Sequence, residues 1–77
     1  MARYFFHAEN GHRVVDDQGS EYESEAEVRH TALRLLCEML PMMEQDLWRG
    51  RPARVLVTNA ADEEVFVLTV EARASSG

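Results

Sequence analysis

SEAEVRHTALRLLCEMLPMMEQDLWRG, residues 24–50, is the stretch on which the fold turns. Within it Leu33, Leu36, Leu40, Met43 and Leu47 step by three and four, and Val28, Ala32, Leu35 and Met39 widen the stripe. That spacing belongs to a helix with one apolar face. Ser24-Glu25-Ala26-Glu27 reads as a capping box, with Ser24 at the cap and Glu27 at the third helical position. Glu25 and Glu27 also suit the positive end of the helix dipole. Together these signals predict one long helix from Glu25 to Arg49. Pro41 interrupts it, because proline lacks the N–H donor and its ring collides with the carbonyl of Cys37. The helix is therefore expected to kink there, or to stop near Met39 and restart. Gly50 ends it and Pro52 prevents its resumption.

Strand patterns flank the helix on both sides. Upstream, Arg3-Tyr4-Phe5-Phe6-His7-Ala8 is rich in aromatic strand formers, and period two puts Tyr4, Phe6 and Ala8 on one face and Phe5 and His7 on the other. Asn10-Gly11 follows, a pair that accepts positive φ and marks a hairpin. The returning strand is short, Arg13-Val14-Val15-Asp16, and Asp17-Gln18-Gly19-Ser20 closes it as a turn. Downstream, Ala53 to Thr58 and Val65 to Val70 are aliphatic and β-branched, with the polar linker Asn59–Glu64 between them, so they read as a second antiparallel hairpin. The expected chain is a single domain over residues 1–74 with a disordered tail at 75–77. Its class is α+β: a two-layer ββαββ arrangement, an antiparallel sheet of three or four strands with the Pro41-kinked helix packed on one face.

One helix covers one face of a sheet, yet the last hairpin carries apolar residues in both registers. Val55 and Val57 alternate with Leu56, and Phe66, Leu68 and Val70 alternate with Val65 and Val67. Strands apolar on both faces imply that both are covered. With no second helix in the chain, the expected cover is another copy of it, a homodimer; the competing account is that some outward β-branched residues are simply good strand formers. The candidate interface residues are Phe5, His7, Val65 and Val67 on that face, together with Met42 and Trp48 from the end of the helix. The competing reading for Met39, Met42, Met43 and Trp48 is that Met39 and Met43 line the core, Met42 points away, and Trp48 packs on the sheet edge.

Composition narrows the classes of function. Among 77 residues, 14 acids outweigh 8 bases, for a formal charge of -6. Nucleic-acid binding rests on Lys and Arg neutralising phosphates, and anionic membrane surfaces favour the same residues, so neither partner is expected. All eight bases are Arg, and neither Lys nor Ile occurs, a pattern of GC-rich bacterial coding. A single Cys cannot make an internal disulfide, and the first residues run directly into a strand with no leader-like segment, which points to the cytoplasm. A chain this short buries a small core, and its stability margin is thin.

No catalytic, cofactor or metal site is expected. His7, His12, His30 and Cys37 match no zinc spacing; His30 and Cys37, seven apart on the helix, stand ~10 Å from each other. Cys37 reads as a small buried hydrophobe and His12 as a solvated turn residue. The acids Asp16, Asp17, Glu21, Glu23, Glu25 and Glu27 read as turn and helix-start chemistry forming an acidic rim. The serines lack a nucleophile-elbow context, and no glycine-rich phosphate loop occurs. His7 has two readings: a ligand contact or pH-sensitive interface residue, or a structural polar group hydrogen-bonded to an acid such as Asp16 on the neighbouring strand.

Met1-Ala2-Arg3-Tyr4-Phe5-Phe6-His7 is similar to the M-x-R-Y-[FY]-F-H start of a family of short proteobacterial proteins of unknown function. The likeness continues through Asp16, Gly19 and Glu21 (D-x-x-G-x-E), Trp48-x-Gly50, and a V-T-[DN]-x-x-x-x-x-V-F-x-L pattern carried by Val57, Thr58, Asn59, Val65, Phe66 and Leu68. It covers nearly the whole chain. Two positions depart from the pattern: Asp62-Glu63-Glu64 stands where members often carry a turn glycine, and Pro41 is atypical of the helix. The resemblance implies a stand-alone bacterial domain and supplies no mechanism. The leading expectation is a non-enzymatic protein–protein interaction or regulatory module that self-associates, with an as yet unknown protein as a further partner. The alternatives are a small-ligand or stress sensor with a site near His7, and an antitoxin-like transcriptional regulator.

Overall fold

The computed structural model describes residues 1–75; residues 76 and 77 of the expected tail lie outside them. The N-terminal strand β1, Ala2–Glu9, is central. After a turn at Asn10–His12, where Gly11 takes φ 97°, Arg13–Val14 (β2) returns beside it with Ala8 opposite Val14. The strand stops two residues earlier than expected. Residues 15–19 then swing away, and Ser20–Tyr22 (β3) rejoins the same edge of β1 with Ala2 opposite Tyr22. This fifth strand sits where the sequence showed only the end of a turn and the approach to the helix. The last hairpin comprises Ala53–Asn59 (β4) and Glu64–Val70 (β5). β4 pairs antiparallel with β1 on one side and β5 on the other, giving the order β2-β1-β4-β5 with β3 also on β1.

The helical layer forms as its signals require. Ser24 is extended, and its hydroxyl accepts from the Glu27 N–H at 3.3 Å, starting α1 over Glu25–Met39. Pro41 resolves the choice between kink and stop: α1 ends at Met39, one 3-10 turn spans Leu40–Met43 with the proline in its first turn, and a short α2 runs over Glu44–Trp48. A 3-10 turn needs no donor from its first residues, which is where a proline is tolerated. Gly50, at φ 90°, closes the layer, and its N–H donates to the Leu47 carbonyl.

The core lies between these layers. Val28, Ala32 and Leu36 of α1, Met43, and Ala53, Val55 and Val57 of β4 are buried, with Tyr4, Phe6, Leu35, Met39, Phe66, Leu68 and Val70 packed against them. Tyr22 of β3 meets the rings of Tyr4 and Phe6 edge to face, at centroid separations of 6.3 and 5.6 Å, a favoured aromatic geometry. The α+β two-layer order is thus as the sequence implied, with Tyr4 and Phe6 on the helix side and Met42 outward.

Four side chains lie elsewhere than expected. Cys37 and Leu33 are exposed. At 100° per residue Cys37 falls opposite the Val28–Ala32–Leu36 stripe, and Leu33 falls about 100° round from Ala32. Trp48 does not pack on the sheet edge; it is 69% exposed. Val65 leaves the second face, because a register shift between Val57 and Thr58 sets Thr58 opposite Glu64 and turns Val65 toward the core cluster. An extra residue in one strand breaks the alternation of its side chains.

Candidate functional site

The most polar cluster in the interior of the described chain sits on the sheet face away from α1, and residues 15–19 build it. Having left β1 after β2, this loop crosses beside Phe5, Phe6 and His7. Asp16 ties it down. One carboxylate oxygen accepts from the Phe6 N–H at 3.2 Å, filling an outward-facing β1 donor that no strand reaches, and the other accepts from the Gln18 and Gly19 N–H groups at 3.1 and 3.0 Å. A carboxylate that collects backbone donors two and three residues ahead is the usual geometry of an aspartate turn. Gly19 completes it at φ 71°. A Cβ there would lie 2.8 Å from the Phe5 ring and 2.9 Å from the Tyr4 carbonyl oxygen, so the loop reaches β1 only because this residue has no side chain. Arg3 reaches back from β1 to donate to the Gln18 carbonyl.

His7 lies beneath this loop, 7% exposed. Its Nδ1 receives the Asp16 backbone N–H at 3.1 Å, and its Nε2 lies 3.0 Å from the Thr58 hydroxyl, itself buried on β4. The expected partner, Asp16, is present, but through its amide, since its carboxylate is engaged elsewhere. A backbone N–H can only donate, so Nδ1 accepts and the ring proton resides on Nε2, which donates to Thr58 Oγ1. This polarity is the reverse of a base drawing a proton from a nucleophile, where the ring nitrogen would accept from the hydroxyl.

Electrostatics follow the same wiring. The Gly19 N–H, with those of Phe6 and Gln18, favours ionised Asp16 and outweighs its partial desolvation, holding its carboxyl below the ordinary value of 3.8. Phe5, His7, Val15, Asp16, Thr58, Asn59, Ala60 and Asp62 line a shallow depression of about 210 Å³ over this cluster. Among the described residues, no three His, Cys, Asp or Glu side chains gather as metal ligands, and no helix is long and apolar enough to cross a membrane.

The six candidate interface residues do not converge. Phe5 and His7 line the depression, beside which the chain's own loop runs, so that loop supplies part of the cover expected there from a second copy. Val67 stays on the second face but lies two strands from β1, ~9–10 Å away, and Val65 belongs to the core side. Met42 is 83% exposed on the 3-10 turn and Trp48 is exposed on α2, both in the helical layer. Reading the sequence residue by residue missed Gly19 and Thr58 as participants. The D-x-x-G spacing of Asp16 and Gly19 was the available signal, because an aspartate turn needs just those offsets.

A family model described as a domain of unknown function (DUF6894) matches residues 3–71. No curated protein and no solved structure matches the chain.

Proposed function

The chain belongs to that family of domains of unknown function, and from this premise we propose that it is a non-enzymatic interaction module that associates with its own copies. The observation that carries the reading is where polar and apolar groups are spent. The polar cluster that chemistry would draw on, His7, Asp16 and Thr58, is consumed by internal hydrogen bonds. Large apolar side chains meanwhile face outward: Met42, Trp48, Val14 and Val15 are each at least 60% exposed. Exposed aromatic and methionine side chains are what association surfaces use. Sedimentation velocity over a wide concentration range tests this. The weight-average mass should rise from 8.8 kDa toward twice that, and a concentration-independent monomer would refute it.

The depression beside His7 favours one second reading, a small-ligand sensor. It predicts a thermal-shift response to some apolar or hydrogen-bonding ligand that His7→Ala abolishes. With both ring nitrogens and both Asp16 oxygens engaged, a ligand would gain apolar contact, the free hydroxyl proton of Thr58 and the exposed Asp62 carboxylate at the rim.

A further inference from the structure

β5 forms one rim of the sheet, and no strand among the described residues pairs with its outer edge. The strand, Glu64-Val65-Phe66-Val67-Leu68-Thr69-Val70, is seven residues long, with no Lys and no Pro. Proteins blunt exposed edges with charge, proline, bulges or shortness. Here the only such devices, Glu64 and the register shift beside it, lie at the strand's first residues. From Phe66 to Val70 the strand is regular, apolar except for Thr69, and open.

Which backbone groups it offers follows from hydrogen-bond parity. The Phe6 N–H points away from β4, to Asp16. Alternation then directs Val57 toward β5, and Phe66, Leu68 and Val70 back toward β4. Val67 and Thr69 therefore present their N–H and C=O groups outward, spaced to bond a further strand.

We propose that the outer edge of β5 pairs antiparallel with β5 of a second copy, about a two-fold axis at Leu68, making one continuous sheet. The inference rests on the self-association proposed above and seats it on the β5 edge, apart from Met42, Trp48, Val14 and Val15, whose exposure supports association without placing it. Three features select a second copy and this register. The regular segment Phe66–Val70 is centred on Leu68, so it overlaps its own copy completely: Leu68 faces Leu68, Phe66 faces Val70, and Val67 faces Thr69. The outward residues fall opposite each other, so the two Val67–Thr69 pairs supply four backbone hydrogen bonds. Charge agrees as well: antiparallel pairing runs the Arg73 end of each copy alongside the acidic Asp62-Glu63-Glu64 end of the other, twice by symmetry. Arg73 is 84% exposed and bonded only to Glu71 of its own chain at 2.9 Å, so it is free to re-pair. Centring on Val67 instead would set Thr69 and Val70 against Val65 and Glu64, where the register shift interrupts the strand.

The test uses the full chain. Thr69→Pro removes an outward N–H that no internal bond uses, and should weaken dimerisation at least ~30-fold by sedimentation, the loss of two symmetry-related hydrogen bonds. Far-ultraviolet circular dichroism should stay that of the folded domain. Should Thr69→Pro unfold the chain, cysteine crosslinking decides. In a Cys37→Ser background, Leu68→Cys should give a disulfide-linked dimer on mild oxidation, since a self-facing non-hydrogen-bonded pair sits ~4.5 Å apart between Cα atoms, within disulfide range. Val67→Cys should not. A dimer that folded Thr69→Pro leaves intact, or that Val67→Cys but not Leu68→Cys traps, would overturn this surface and register while leaving self-association standing. A wild-type chain that stays monomeric at every concentration would overturn both.

Discussion

Along the β1 rim, β2 and β3 supply only two and three residues of pairing, and the gap between them is closed by the Asp16 carboxylate on the Phe6 N–H and by Gly19 lying on Phe5. Along the β5 rim, the regular segment Phe66–Val70 presents the backbone groups of Val67 and Thr69 with no cover among the described residues. Both rims meet the same physical demand, since a strand edge is a template for another strand. The first meets it within the chain by interruption and a side-chain acceptor; the second carries no such answer among the described residues. The same demand, met on one rim and unmet on the other, is what the proposed pairing of β5 would satisfy.

Gly19→Ala is the most severe way to break the contrast. The added methyl meets the Tyr4 carbonyl as well as the Phe5 ring; a ring can turn, but a carbonyl in the central strand cannot yield, and φ 71° is unfavourable for alanine in any case. Overpacking and strain together should cost roughly 2–4 kcal/mol, which for a domain this size lowers the melting temperature by about 10 °C or more. Gly50→Ala is the control. It shares a positive φ of 90° but has nothing within 4 Å, so it should cost only ~1 kcal/mol. Equal losses in urea titrations of the two variants would mean that the loop does not close on β1 as described.

Asp16→Ala comes next, at roughly 2 kcal/mol for three lost backbone hydrogen bonds. Asp16→Asn should cost about half, because one oxygen still serves Gln18 and Gly19 while the amide confronts the Phe6 N–H. Beyond stability, both variants reopen the β1 rim: amide exchange at Phe6 should accelerate and association should become less selective for β5. Proton linkage gives the same residue a second readout. Because its folded carboxyl titrates below 3.8, the stability it contributes is complete above that value and is lost as the pH falls through the lower, folded value. Acid titration of the wild type should therefore show a loss below pH 3.8 that Asp16→Ala lacks. Identical acid profiles would remove Asp16 as the clasp.

Legibility differed between the same two rims. The periodic helix stripe, the capping Ser24 and the apolar pair β4–β5 were readable because each rests on a repeating pattern. β3 was not: three residues, two of them polar and exposed, carry no alternation, and their pairing is set by where Gly19 lets the loop return. Trp48 was misplaced because its seat on the sheet edge rested on no repeating pattern: at 100° per residue it falls some 160° round from the centre of the Val28–Ala32–Leu36 stripe, on the side away from the sheet. Of the site, His7 and its partner Asp16 were named, yet which Asp16 atom meets the ring depended on a turn whose closure is a three-dimensional matter. Val65 turned inward for a comparable reason: the Asn59 side chain gathers the Ala61 and Glu63 N–H groups, and the turn so wound delivers one residue too many into β5.

That turn sharpens the comparison at its smallest scale. Asp62 sits at φ 62°, a left-handed conformation like that of Gly19, in the turn between β4 and β5. The two sites answer one backbone demand differently because their surroundings differ. At Gly19 a side chain has nowhere to go, whereas Asp62 is exposed and aspartate tolerates the left-handed region better than most residues. Asp62→Gly should therefore relieve strain without losing a contact, stabilising the chain by ~0.5 kcal/mol after the entropy that glycine adds to the unfolded state. It also removes one negative charge from the Asp62-Glu63-Glu64 end of the open rim, so self-association through β5 should hold or tighten slightly. If Asp62→Gly instead destabilised the chain as Gly19→Ala is expected to, the aspartate would have to be holding the turn by its side chain, and the β5 rim would begin with a clasp of its own.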